Sequence, residues 1–188
     1  ALFRGIAYAV SNADAVSGFP GWFGFFGQTY IGGVVPVQLV VFIIATLLAW
    51  LLLDHTRFGR YVVAIGNNEL ASRFSGVETA RVKVAVYALT GFLVGIAGLI
   101  YTSRISSARG NAGIGLELTV IAMVVLGGAK ITGGSGSIAG TVLGVLILSY
   151  LQDGLVFAGV RSDWGLLVTG LFLIVGVFLN ELFRKERA

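Results

Sequence analysis

The chain has 188 residues, of which 56% are hydrophobic and 12% charged, with a formal net charge of +4. Soluble domains carry about a quarter charged residues, so a mean hydropathy of +0.92 places this chain among integral membrane proteins. There is no cysteine and a single histidine, His55, which excludes disulfide frameworks, thiol nucleophiles and thiolate or multi-histidine metal sites. The basic residues gather at the ends of apolar runs, a membrane-anchoring pattern and not a nucleic-acid patch.

In chain order, "ALFRGIAYAV" (Ala1–Val10) carries one arginine and no cleavage pattern, so it does not read as a signal peptide. It reads as the tail of a helix already under way, and the chain does not open on methionine; the expectation is that N-terminal helices are missing. Val34–Leu53 is free of charge for 20 residues, enough to cross a bilayer core of about 30 Å. "DHTRFGR" then returns the chain to headgroups or water. A polar, helix-prone insert follows, and Val84–Tyr101 is a second span. After the loop "TSRISSARGNAGIG", Leu116–Gly128 is apolar but short, "GGAKITGGSGS" interrupts it, and Ile138–Leu151 is apolar again. "QDGLVFAGVRSDW" leads to a last span, Gly165–Phe183, and the tail "RKERA".

Charge sets an orientation. Arg57, Arg60, Arg73, Arg81 and Lys83 lie between the first two spans, and Arg184, Lys185 and Arg187 in the tail. Lys/Arg excess marks cytoplasmic loops, so both segments are expected inside. Ser11–Gly33, Thr102–Gly115 and Gln152–Trp164 are then outside. The parity holds whether the Leu116–Leu151 unit dips in and returns or makes two crossings. Glycines recur at helical spacing, at Gly91, Gly95 and Gly98 and at Gly140 and Gly144. Small residues so spaced let helix backbones approach closely in lipid, and packing is the expectation.

Within the insert, Asn67 or Asn68 suits an N-cap, Glu69 falls in the first turn, and Gly76 can close the helix in the left-handed region. Leu70, Phe74 and Val77 recur at i, i+4 and i+7 as one apolar face, with Glu69, Ser72 and Arg73 off it. From periodicity alone this is a short amphipathic helix that lies on headgroups or meets a partner.

"GNNELASRFSG", with "TRFGRYVVAI" before it, resembles the coupling loop of ABC importer permeases of the ribose and branched-chain amino acid class. There the pattern is Glu-Ala-Ala followed by Gly. Glu69, Ala71 and Gly76 match, and Leu70 stands where the first Ala would be. The resemblance runs over nearly the whole chain, with "ELTVIAMVVLGG" and "GGSGSIAGT" specific to the sugar branch; "LFRGIAYAV" and "GFPGWFGFFGQ" are similar to rhamnose and autoinducer-2 permeases. Family members are longer at the N-terminus. The resemblance implies a multi-pass bacterial inner-membrane permease with a cytoplasmic C-terminus. Its partners would be a cytoplasmic ATP-binding subunit, a second permease subunit in a homodimer or heterodimer, and an extracytoplasmic solute-binding protein. It further implies that the insert, Ala71 included, docks on the ATP-binding subunit, with Leu70, Phe74 and Val77 supplying burial, Glu69 and Arg73 the polar register, and Gly76 the close turn.

"GGAKITGGSGS" lacks the Gly-Lys-[Ser/Thr] of a phosphate loop and has membrane-apolar flanks, so nucleotide binding is not expected. Glycine-broken apolar segments occur as interrupted helices along transport pathways and equally as tight turns between short helices. On the first reading Gly127, Gly128, Thr132, Gly133, Gly134 and Ser135 border a translocation path, because a polyol entering the membrane needs hydrogen-bonding groups at depth. Lys130 then faces a cavity; on the second reading it marks the cytoplasmic face. Asp153 and Asp163 read as solvated, Glu117 as a helix-opening acid, and His55 as interfacial.

The expected fold class is all-α, a polytopic membrane helical bundle with one glycine-broken unit and a short cytoplasmic coupling helix, in a single domain over residues 1–188. The expected function is inward transport of a small neutral solute, of rhamnose or autoinducer-2 type, without a cofactor, a metal or a catalytic residue of its own. A branched-chain amino acid permease, an ion-coupled carrier and an intramembrane enzyme are the alternatives. The last two call for ionisable residues inside the spans, and the clear spans have none.

Overall fold

A computed structural model describes residues 2–12 and 14–159, together with positions 165, 167, 168, 170, 171 and 174. The expected last span, Gly165–Phe183, falls for the most part outside the described residues; Asp163 and the basic tail lie outside them altogether. The fold class is all-α, that of a membrane helical bundle. Three described helices are long and apolar enough to cross a membrane: Val37–His55, Thr79–Ile105 and Ile138–Phe157. The chain divides into two compact units, Ala1–Leu52 with Ala80–Ala112, and Leu53–Thr79 with Gly113–Ala188.

The first unit opens with α1 (Leu2–Ser11), the helix foreseen in "ALFRGIAYAV". Between it and the first span the chain makes local structure that periodicity did not indicate. β1 (Val16–Ser17) pairs antiparallel with β4 (Ser107–Ala108), Val16 opposite Ala108. A 3₁₀ turn at Gly21–Gly24 runs into the four-residue α2 (Phe25–Gln28). β2 (Tyr30–Ile31) and β3 (Val35–Pro36) then form a small hairpin around Gly32 and Gly33, both at positive φ. That hairpin takes Val34–Pro36 out of the expected span, so α3 runs Val37–His55. Gly27 lies directly on the backbone of Ser103 and Arg104, and Gln28 Nε2 donates to the Ser103 carbonyl at 3.3 Å and to Ser106 Oγ at 2.7 Å. Ser103 is wholly buried and its hydroxyl donates to the Phe23 carbonyl at 2.5 Å. Gln38 Nε2 donates to the Gly27 carbonyl from the first turn of α3.

α6 covers Thr79–Ile105, 27 residues where charge-free sequence suggested 18. At 1.5 Å per residue it is about 40 Å long, so Arg81, Lys83 and Arg104 sit at its ends. Charge ends an apolar run but not a helix, because long basic side chains reach the interface from within one. α8 likewise continues past Leu151 through Gln152 and Asp153 to Phe157.

In the second unit α4 (Arg57–Asn67) replaces what the charged sequence suggested was a loop. Thr56 caps it, its Oγ1 accepting from Gly59 N at 3.3 Å, and Gly59 fits against the Leu53 backbone at the α3–α4 corner. α5 (Glu69–Phe74) follows. α7 (Leu116–Leu126) packs on α8 (Ile138–Phe157), with Ala122 and Val125 buried against Gly144 and Leu148. Gly127 and Gly140 meet backbone to backbone. Of the glycines spaced for packing, Gly140 and Gly144 are therefore used within the chain. Gly91, Gly95 and Gly98 have no such neighbour within 4 Å.

Candidate functional site

All the candidate residues belong to the second unit. α4 ends at Asn67, and the next residue, Asn68, is extended and caps α5 by accepting from Ala71 N at 3.0 Å. Of the two asparagines the sequence left open, Asn68 is the cap. At the other end Gly76 has φ +83. Its N–H reaches the Arg73 carbonyl at 3.1 Å, and that of Val77 reaches Ser72 at 3.1 Å. These two bonds are the Schellman closure that a left-handed glycine permits. A helix of six residues gains little from its own ladder. Caps at both ends are what define it.

The face this helix shows is the informative feature. Ser72 is 7% exposed, its hydroxyl donating to the Asn68 carbonyl at 2.8 Å. Leu70 is 68% and Phe74 90% exposed. The polar residue faces the chain and the apolar ones face away, while Val77, the third of the expected stripe, is half-buried. Glu69, Ala71 and Arg73 are also exposed.

The glycine break is a compact connection. α7 stops in a second Schellman closure: Gly128, at φ +87, donates to Val125 at 2.9 Å, and Ala129 to Val124 at 3.2 Å. Lys130 N donates to the Ser135 carbonyl and Gly133 N to that of Lys130, each at 3.0 Å. Ser137 caps α8 by accepting from Gly140 N at 3.2 Å. Several backbone groups that the glycines were expected to offer a solute are thus engaged inside the loop. Lys130, Thr132 and Ser135 are exposed.

A recess of about 310 Å³ opens beside the break, with Asp54, Val63, Val124, Ser135, Ser137 and Thr141 in its walls. Of the residues expected to border a path, Gly134 and Ser135 line it; Gly127, Gly128, Thr132 and Gly133 do not. The structure also joins two sets of candidates that the sequence kept separate. Asn67 Nδ2 donates to the Gly134 carbonyl at 3.1 Å, which places the break against the junction of α4 and α5. Among the described residues no group of three or more His, Cys, Asp or Glu is placed to hold a metal ion.

Sequence reading missed α4, Asn67 and Gly66. The signal for α4 was present: a threonine cap, then Phe58, Val62 and Ile65 at i, i+4 and i+7. No pattern along the chain links Asn67 to a residue 67 positions away.

The family described as "Branched-chain amino acid transport system / permease component" matches residues 2–177. Ribose import permease protein RbsC of Bacillus subtilis is 42% identical over 100% of this chain and 58% of its own length. The ribose import permease protein RbsC of Escherichia coli K12 is also 42% identical, over 96% and 57%. Autoinducer 2 import system permease protein LsrD of Yersinia enterocolitica is 40% identical over 94% and 55%. The chain thus spans a little over half the length of these relatives. No solved structure matches it. With nearly all of its length matched, this chain belongs to the permease-component family of the branched-chain amino acid transport systems.

Proposed function

We propose that residues 1–188 form part of a single permease domain of an ATP-driven bacterial importer, a multi-pass inner-membrane protein with a cytoplasmic C-terminus, which carries a small, neutral, hydroxyl-rich solute inward. The observation that carries this reading is α5, a capped helix in a charged loop that turns Leu70 and Phe74 outward. Exposing two large apolar side chains on a polar segment is unfavourable unless something covers them. A cytoplasmic ATP-binding subunit is the partner that suits a permease. Leu70 and Phe74 fill its groove, Glu69 and Arg73 fix the register, and Ala71 and Gly76 allow close approach. Hydrolysis belongs to that subunit, and a second permease subunit and an extracytoplasmic binding protein complete the importer.

The names of the relatives support a sugar-type solute, with ribose and autoinducer-2 as first candidates and rhamnose as a third. The family's description supports branched-chain amino acids as the second reading. We assign the border of the translocation path to the break from Gly127 to Ser135, supported by the place of Gly134 and Ser135 in the recess wall. Ser135→Leu is the variant that tests it, because Gly134→Leu would strike Asn67 as well. Lost uptake with the assembly intact is the expected outcome, and unchanged uptake removes the break from the path.

For the function as a whole, the full-length permease is purified with its encoded neighbours, and the binding protein is screened against ribose, autoinducer-2, rhamnose and leucine. Co-purification of an ATP-binding subunit with ATP-dependent uptake is expected. Uptake that follows an ion gradient without ATP would instead make this a secondary carrier.

A further inference from the structure

Two consecutive asparagines do two different jobs. Asn68 starts α5 by capping it, and Asn67, one residue earlier, holds the break between α7 and α8. The Asn67 side-chain amide donates to the Val63 carbonyl and to the Gly134 carbonyl, each at 3.1 Å. The contact is tight on both sides. A β-carbon on Gly66 would lie 2.3 Å from Gly134 N, and one on Gly134 would lie 2.4 Å from Asn67 Oδ1 and 2.9 Å from Asn67 N. Gly133 and Gly134 both stand at φ +85, so this surface of the loop is bare main chain. At Gly66 backbone lies on the backbone of Gly133 and Gly134, and at Gly134 the Asn67 side chain, held by its hydrogen bonds, fills the remaining space.

The two bodies so joined are each stiff. On one side, the short path from Asn67 through the Asn68 cap to the closure at Gly76 leaves little slack between the junction and α5. On the other, α7 and α8 are locked by main-chain contacts at Gly127, Gly140 and Gly144, the last having a carbonyl oxygen of Met123 where its β-carbon would be. Close-packed elements move as units and do not deform continuously.

We propose that Asn67 is a positioning residue that ties α5 to the α7–α8 hairpin, so that a displacement of α5 by its partner moves the hairpin with it. This rests on the reading of α5 as the docking helix. Gly66 and Gly134 make the close approach possible, and the Asn67 amide makes it specific. Aspartate at the same position is isosteric but cannot donate, and would set a carboxylate against two carbonyl oxygens.

The test uses the full-length permease assembled with its ATP-binding subunit, with any cysteine outside residues 1–188 replaced; these residues contribute none. Ser75→Cys, exposed at the end of α5, reports docking: the ATP-binding subunit should protect it from a maleimide. Thr132→Cys, exposed in the loop of the break, reports the hairpin. Its labelling rate is compared without nucleotide and after trapping with Mg-ATP and vanadate. We expect trapping to change that rate by up to about tenfold, the upper end of what the one net hydrogen bond across the tie can bias, and expect Asn67→Asp to abolish the change while hydrolysis continues. If Ser75→Cys is never protected, the docking reading fails and this proposal with it. If it is protected but Thr132→Cys ignores nucleotide, or responds equally in the Asn67→Asp background, the tie alone is overturned. Should Asn67→Asp fail to assemble, Asn67→Ala, which adds no charge, is measured in the same way. Failure of both to assemble shows a brace needed for folding, not transmission, and also overturns the proposal.

Discussion

A β-carbon at Gly144 would stand 2.2 Å from the Met123 carbonyl oxygen and 3.0 Å from the Gly127 nitrogen. Both are main-chain atoms, so relief requires α7 and α8 to part. Gly91 has the same helical spacing from its neighbour Gly95, yet meets nothing within 4 Å. Spacing identifies surfaces that can be approached closely, and only the fold decides which of them are. Gly144→Ala should therefore destabilise the permease by about 1–3 kcal/mol, as overpacking does. Gly91→Ala should stay within about 0.5 kcal/mol or gain slightly, since alanine is the better helix former. Thermal unfolding in detergent separates the two, and equal midpoints would refute the backbone contact at Gly144. The buried hydroxyl of Ser103 is the polar counterpart. Ser103→Ala leaves the Phe23 carbonyl without its donor, at a cost of about 1–3 kcal/mol, read in the same unfolding experiment.

At the scale of the element, α5 was legible almost to the residue because every signal for it is local. A cap, a first-turn acid and a closing glycine lie within nine positions, from Asn68 to Gly76. Its orientation was not legible. Periodicity shows that Leu70 and Phe74 share a face, but whether that face turns toward the chain depends on what lies beneath, and here Ser72 lies beneath. The same limit hid the β1–β4 pair, whose partners are some 90 residues apart, and cut α6 and α8 short where charge was taken for an end. The outward face yields a sharp expectation. Phe74→Asp should leave the permease as stable as before, within about 0.5 kcal/mol, because the ring touches little of its own chain. It should nonetheless weaken association with the ATP-binding subunit by about thirtyfold or more, the effect of losing an interfacial aromatic anchor. Sedimentation or pull-down of the assembled importer measures the second quantity. Undiminished association would show that Phe74 meets lipid.

For the molecule as a whole, charge and backbone contacts bear independently on orientation. The basic residues between α3 and α6 argue for the cytoplasmic side. The contact of Asn67 with Gly134 places the break beside the junction of α4 and α5. The pairing of Val16 with Ala108 puts the segments after α1 and after α6 together, at the far end of α6 from Arg81 and Lys83. α7 has 11 residues and is about 16 Å long, roughly half the hydrocarbon thickness. That is too short to cross, whereas α8 with 20 residues is long enough. Single cysteines at Ser17 and Asn111 should therefore react with an impermeant maleimide in intact cells, and cysteines at Ser75 and Thr132 only after permeabilisation. Labelling of Ser75 and Thr132 in intact cells, with Ser17 and Asn111 reacting only after permeabilisation, would invert the orientation. Labelling of Thr132 but not Ser75 would separate the break from the basic loop, contradicting the Asn67–Gly134 contact itself.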